Sequence, residues 1–187
     1  MKKLICAVSA AAVSAAAFLS GGCGSNAEYV EAGGSRSLIS TDKINMADWN
    51  AAADALVNSM LQSAAFAKYP KPVLIQVSQV VNRTSQRIDT ELLTKRITIA
   101  LNNSGVAVTK STDKTATETA EYNRFMKNQG TLPAAQMTIS GRIIEDRESV
   151  GRDREVTYTF QMDLNADGVA VWEDQKQIAK QETKSVF

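Results

Sequence analysis

Apolar residues recur at helical spacing in the middle of the chain. From Asp48 onward, one predicted helix face collects the side chains Trp49, Ala53, Leu56, Val57, Met60 and Leu61. A second stretch of this kind follows Asp89 and Thr90, whose side-chain oxygens suit a helix N-cap, and it ends at Gly105. The pattern therefore predicts two amphipathic helices.

A third helix is predicted further along, with more threonine in its sequence. Asp113 or Thr115 can begin it, and it should close near Gly130. The residues expected to face the core are Ala116, Ala120 and Phe125.

Between these helices, short apolar runs predict strands. Residues 73–81 are mainly apolar and rich in β-branched side chains, which favours one central strand. Polar residues 82–85 should end it as a loop, and residues 106–109 predict a second, short strand.

The last third of the chain alternates with a period of two. Strand positions are expected at Met137, Ile139 and Ile143, then at every second residue from 156 to 164, and again around 169–178. Turns near Gly151 and Gly168 would join them as a three-stranded meander. The whole pattern predicts a single compact α/β domain, in which about three helices pack on a mixed, largely antiparallel sheet of four to five strands.

The N-terminus resembles a bacterial export signal. Lys2 and Lys3 precede an apolar run from residue 4 to 19, and Ser20-Gly21-Gly22 lead into Cys23. This order predicts a lipoprotein signal peptide over 1–22, a lipidated Cys23 with a flexible tether over 23–45, and the folded domain over 46–187. Ordinary secretory cleavage near Gly21 and Gly22 is the alternative. A retained membrane helix is disfavoured because the apolar run is shorter than about 20 residues.

Composition narrows the function classes. The chain contains no histidine, and both cysteines, Cys6 and Cys23, lie in or beside the predicted signal, so the common nucleophile–base pairs of enzymes cannot form. Without Lys2 and Lys3 the formal net charge falls from +1 to about −1, which gives no field for attracting nucleic acid. Histidine-free enzymes exist, so this composition disfavours catalysis without excluding it.

One segment matches the spacing of a calcium loop. Asp163, Asn165, Asp167 and Asp174 occupy its liganding positions, and Gly168 occupies the glycine position. The flanks have strand rather than helix periodicity, and Asp replaces the usual final Glu. A hairpin turn of Asn, Asp and Gly is therefore the favoured interpretation.

A run of alternating charges covers residues 145–155 at a predicted hairpin tip. Such charges commonly protect a strand edge from aggregation. The alternative is the rim of a partner site, which would use Arg142, Arg147 and Arg152.

Several motifs resemble one family. They are Asp48-Trp49-Asn50 with Met60-Leu61 in the first helix, Asn82-Arg83-Thr84 after the first strand, and Gly168-Val169-Ala170-Val171-Trp172 in the last hairpin. Together they look like the penicillin-binding-protein activators of LpoB type, over roughly residues 44 to 184. The resemblance implies a domain similar to the N-terminal domain of TolB.

The same resemblance implies a function. The protein would be a periplasm-facing outer-membrane lipoprotein that binds and activates a bifunctional class A penicillin-binding protein. It would have no enzyme activity, no cofactor and no small-molecule substrate. Gly24 rather than Asp after Cys23 agrees with the outer membrane. The expected contact residues are polar and predicted to be exposed. They are Asn82, Arg83, Arg142, Arg147 and Arg152. A structural lipoprotein of an envelope or secretion assembly is the alternative.

Overall fold

A six-stranded mixed sheet forms the centre of the fold in the computed structural model, which describes residues 28–185. The predicted signal peptide and Cys23 lie outside the described residues. The helices are α1 (Met46–Gln62), α2 (Glu91–Asn103) and α3 (Lys114–Met126), with one 3-10 turn at Ala64–Phe66. The strands are β1 (Val73–Val77), β2 (Val81–Arg83), β3 (Ala107–Thr109), β4 (Met137–Val150), β5 (Asp153–Ala166) and β6 (Val169–Thr183).

The strands lie in the order β3-β1-β4-β5-β6, and β2 pairs with β4 next to the end of β1. β1 is parallel to both β3 and β4, and β2 is parallel to β4. The long pairs β4–β5 and β5–β6 are antiparallel, so most of the paired length is antiparallel. The α/β class, the three helices and the meander are confirmed. The strand count is six, above the four to five expected.

The expected central strand over residues 73–81 is divided in two. β1 ends at Val77, and the chain re-enters the sheet as β2, so that Asn82 and Arg83 lie in a strand instead of a loop. The chain leaves the sheet between them at residues 78–80, where Val80 is buried. The polar residues Ser78 and Gln79 lie at this break, but two polar residues within a β-branched run do not by themselves predict that the backbone leaves the sheet.

Side-chain oxygens cap the N-terminus of each of the three helices. Asn45 and Asp48 cap α1 reciprocally, because each side chain accepts a hydrogen bond from the other's backbone N–H. Asp89 accepts from the Glu91 N–H at 2.9 Å, whereas the Thr90 side chain makes no capping bond, so only Asp89 fulfils the predicted role at α2. Asp113 caps α3 through the Thr115 and Ala116 N–H groups.

The core lies between the sheet and helices α1 and α2. Its fully buried members include Met60, Ile75, Leu101, Ile143, Tyr158, Phe160 and Leu164. Alternate residues of β5 point into it, as the period-two pattern predicts. We call this the inner face of the sheet and the opposite side the outer face.

Helix α3 departs from the expectation. None of its residues is buried, and the prediction that Phe125 faces inward is wrong. Ala116 and Ala120 do face the domain, next to Leu74 on the outer face of β1. Phe125 follows Ala116 by nine residues, which is about two and a half helical turns, so it points to solvent.

Candidate functional site

The segment before α1 is fastened to the sheet. Residues 41–45, which we call the N-terminal strap, cross the inner face near the Gly151 hairpin. Thr41 accepts a hydrogen bond from the buried Tyr158 hydroxyl through its carbonyl, at 3.0 Å, and its own hydroxyl donates to Glu182 at 2.7 Å. Thr41 and Ile44 are buried, so ordered structure begins before residue 46.

Asp42 holds the strap through two arginines. Its carboxylate pairs with Arg147 of β4 and with Arg154 of β5. The hydrogen bond from Arg147, assisted by Arg154, holds the pKa of Asp42 below its usual value despite some desolvation. Of the five expected partner residues, Arg147 is therefore engaged within the molecule.

Glu145 adds a second link at the same place. Its carboxylate pairs with Arg147 and accepts hydrogen bonds from the backbone N–H and hydroxyl of Ser85, at 2.9 and 3.0 Å. Burial raises the pKa of Glu145, but the hydrogen bonds from Arg147 and Ser85 outweigh it, and the net shift is downward. The charged hairpin is thus tied to both the strap and the β2–α2 loop.

Asn82 shapes that loop. Its side-chain oxygen accepts from the Thr84 N–H at 2.9 Å, and its amide donates to the Gln86 carbonyl at 2.8 Å. This is an Asx-type turn, in which an Asn side chain replaces backbone partners. Gln86 in turn accepts from the Ile44 N–H of the strap. The Asn82 side chain is therefore committed to local structure.

Arg83 and Arg142 lie together on the outer face. Register places Val81 beside Arg142 and Arg83 beside Ile144, so the two arginines flank two apolar side chains. Both arginines are exposed, and Val81 is half exposed. We call these four residues the arginine patch. No helix of residues 28–185 packs on the outer face of β4, β5 and β6.

Polar side chains continue this surface across the meander. Arg142 donates to Gln161 at 2.6 Å, and Gln161 donates to Gln175 at 3.0 Å, which links three strands. Such a row orders the side chains around Arg142. Arg152 is exposed in the turn at the far end of the hairpin.

The calcium-like spacing forms a hairpin. Asp167 and Gly168 make the two-residue turn between β5 and β6, with φ of 51° and 78°. Asp163 points to the outer face, where Ser140 and Asn165 donate to it, whereas Asp174 lies on the inner face and accepts from Ser59. The four oxygen ligands therefore do not converge. Across the part of the chain that the structure describes, no group of three His, Cys, Asp or Glu side chains could hold a metal.

A groove of about 900 Å³ opens between α2 and the carboxyl ends of β1 and β3. Its lining includes Asp89 and Asp113, which are occupied as helix caps. Lys95 and Lys110 also reach it. The mixed charge of this lining does not define one ligand.

Sequence reasoning missed the strap contacts. Asp42 is separated by 105 residues from Arg147 and by 112 from Arg154, and no local pattern connects positions so far apart. Tyr158 carries a signal that could have been used. A tyrosine at a core position of a strand needs a buried acceptor for its hydroxyl.

Within residues 28–185 the domain has two layers, and the outer face of its sheet is open over β4, β5 and β6. The model of the family described as peptidoglycan-synthase activator LpoB matches residues 48–178. The chain belongs to this family. No curated protein sequence matches the chain.

Solved structures with the same description are similar to the chain. The LpoB C-terminal domain from Salmonella enterica has 21% identity and a TM-score of 0.48, and the match covers 70% of this chain and 98% of that one. The corresponding Escherichia coli domain has 19% identity and a TM-score of 0.47, over 70% and 98% of the two chains. An NMR structure of E. coli LpoB has 16% identity and a TM-score of 0.45, over 97% and 96%.

No helix within residues 28–185 combines the length and apolar character needed to cross a bilayer.

Proposed function

We propose that this protein is a lipoprotein, attached to the outer membrane through Cys23, that binds a bifunctional class A penicillin-binding protein in the periplasm and activates it. The observation that carries the proposal is the family match over residues 48–178. The export signal ahead of Cys23 supports the anchor. The protein would regulate an enzyme instead of catalysing a reaction.

The arginine patch is the proposed contact surface. Arginine beside apolar side chains is enriched where protein interfaces gain most of their binding energy. Arg152 would extend the contact at the hairpin tip. Asn82 and Arg147 would act indirectly, because their side chains hold the loop and the strap in place.

Activation would follow from differential affinity. A regulator shifts its partner toward the active conformation only as far as it binds that conformation more tightly than the resting one. The fixed geometry of the meander suits this role because a rigid surface discriminates between two shapes of a partner.

The strap limits the reach of the anchor. The chain from Cys23 to Thr41 spans at most about 60 Å when fully extended. A flexible chain of this length averages only about 25 Å end to end. The synthase surface that is bound must therefore come within the length of this segment plus the width of the folded domain from the anchoring membrane.

The test uses the protein isolated in detergent and the bifunctional penicillin-binding protein of the same organism. We expect binding and a faster glycan polymerisation rate, and the double reversal Arg83→Glu with Arg142→Glu should abolish both. Lys68→Glu changes an exposed charge elsewhere and is the matched control. Absence of binding by the unmodified protein would overturn the proposal. If the protein bound the synthase without raising its polymerisation rate, it would still be a binding partner, but the proposed activation would be contradicted.

A further inference from the structure

Helix α3 exposes a large apolar surface that the fold does not use. Tyr122, Phe125 and Met126 are 62%, 76% and 62% exposed. Their spacing of i, i+3 and i+4 places them on one side of the helix. Since α3 buries no residue, these side chains contribute nothing to the core.

The other side of α3 makes the contacts with the domain. Ala116 and Ala120 lie over Leu74, Leu132 and Pro133. Arg124 fixes the end of the helix by donating to the carbonyls of Gln129 and Gly130. These contacts are few, and they leave the aromatic side of the helix turned outward.

Acidic residues share the exposed side. Glu118 lies about two turns and Glu121 about one turn before Phe125, and both project within about 40° of its direction. Neither carboxylate has an ion-pair partner among residues 28–185. Lys114 lies on the same side, but about 17 Å from Phe125 along the axis. Two carboxylates without an ion pair in the described chain therefore lie beside the aromatic surface, and Lys114 lies one helical turn from Glu118.

We propose that this side of α3 inserts into an apolar groove bordered by lysine or arginine on the synthase, as a second contact separate from the arginine patch. The proposal rests on the proposed function. Insertion of a helix through anchors at i, i+3 and i+4 is a common mode of recognition. We expect lysine or arginine at the edge of the synthase groove because these side chains would complement Glu118 and Glu121 of α3.

The experiment measures binding to the same organism's bifunctional penicillin-binding protein. Phe125→Ser and Tyr122→Ser should each weaken binding about tenfold, as expected for central aromatic anchors. Leu92→Ser is the matched control, because Leu92 is 55% exposed on α2 and should bind as the unmodified protein does. The thermal midpoint of the Phe125 variant should not change, since the side chain is not buried.

A charge reversal tests the acidic border. Glu118→Lys with Glu121→Lys should weaken binding about fivefold at low salt and remove part of its salt dependence. Tighter binding of this variant would show an acidic partner surface and overturn the proposal.

The outcomes separate this inference from the proposed function. If the unmodified protein binds and activates the synthase while Phe125→Ser and Tyr122→Ser leave the affinity unchanged, the α3 contact is wrong and the proposed function stands. If the unmodified protein does not bind, both fail. A lipid occupant is the remaining result. It is tested with vesicles of phosphatidylethanolamine and phosphatidylglycerol and a chain that carries Cys23→Ser. If Phe125→Ser abolished vesicle binding in this chain and left synthase binding unchanged, the surface would be assigned to the membrane and the proposal would be overturned.

Discussion

The ammonium nitrogen of Lys180 lies 2.5 Å from Oδ2 of Asp48, and both side chains are more than nine-tenths buried. Lys180 also donates to the Lys43 carbonyl at 2.7 Å and lies 5.8 Å from the centre of the Tyr158 ring. Asp48 is at the same time a capping residue of α1. One ion pair thus joins the edge strand β6, the first helix and the strap.

Removing one member of this pair should be strongly destabilising. Lys180→Met leaves the Asp48 carboxylate buried without its partner, and we expect a loss of about 3–5 kcal/mol in the free energy of unfolding. Denaturant unfolding measures it. Lys176→Met, at an exposed position of the same strand, should change stability by less than about 0.5 kcal/mol. Equal effects of the two substitutions would contradict a structural role for the pair.

Acid should loosen the strap through Asp42. The folded-state pKa of Asp42 lies below its ordinary value of 3.8, so the pairs with Arg147 and Arg154 add stability above that value. This contribution is lost as the pH falls through the folded-state pKa. In denaturant unfolding from pH 7 to pH 2, Asp42→Asn should be less stable than the unmodified protein at pH 7, and this difference should shrink as the pH falls.

A matched neutralisation checks that the effect is local. Glu173→Gln removes an exposed carboxylate that makes no ion pair among the described residues, so its stability difference should be small and constant with pH. If the Asp42→Asn difference were also constant with pH, the pairing with arginine would not be its cause.

The two tryptophans should differ in their contribution to stability. Trp49 is buried and packs edge-to-face on Phe160, with ring centroids 6.0 Å apart. Trp49→Ala should cost about 3–5 kcal/mol because it opens a cavity between α1 and the sheet. Trp172 is only partly buried, so Trp172→Ala should cost clearly less in the same unfolding measurement. The reverse order would place the centre of the core elsewhere.

The β5–β6 turn should depend on glycine and not on calcium. Gly168 has φ of 78°, and Gly168→Ala should cost about 1 kcal/mol because an L side chain strains this conformation. Asp167→Asn should be nearly neutral, since Asn tolerates positive φ. A millimolar calcium addition should leave the thermal midpoint of the protein unchanged. A rise of several degrees that Asp163→Ala removes would show a bound ion.

The sequence predicted most elements because their signals are local. The meander follows from the alternation between Val156 and Leu164, and α1 follows from the apolar spacing that starts at Trp49. The division into β1 and β2 was not predicted, because the polar pair Ser78 and Gln79 stands between apolar residues on both sides and is also compatible with one continuous strand. The prediction that Phe125 faces inward is wrong, because it treats an aromatic side chain as a core residue.

For the candidate site, sequence reasoning found exposed polar residues but not their partners. The sequence indicates Arg83 and Arg142 as exposed contact residues, but only the strand register shows that they flank Val81 and Ile144. The sequence also indicates Arg147 as an exposed contact residue, yet its side chain pairs with Asp42 in the structure. Exposure can be inferred from periodicity, whereas pairing between distant residues depends on how the elements pack.

The sequence by itself determined the α/β class, the three helices, the hairpin turns and the family resemblance, since each depends on residues within one or two turns or strands of one another. Tertiary structure alone decided the binding of the strap, the burial of the pair between Lys180 and Asp48, the arginine patch and the outward face of α3. These features join residues that are far apart in the chain. Their contacts arise only when the sheet closes against the helices, because local propensity carries no information about which distant side chain completes a buried charge.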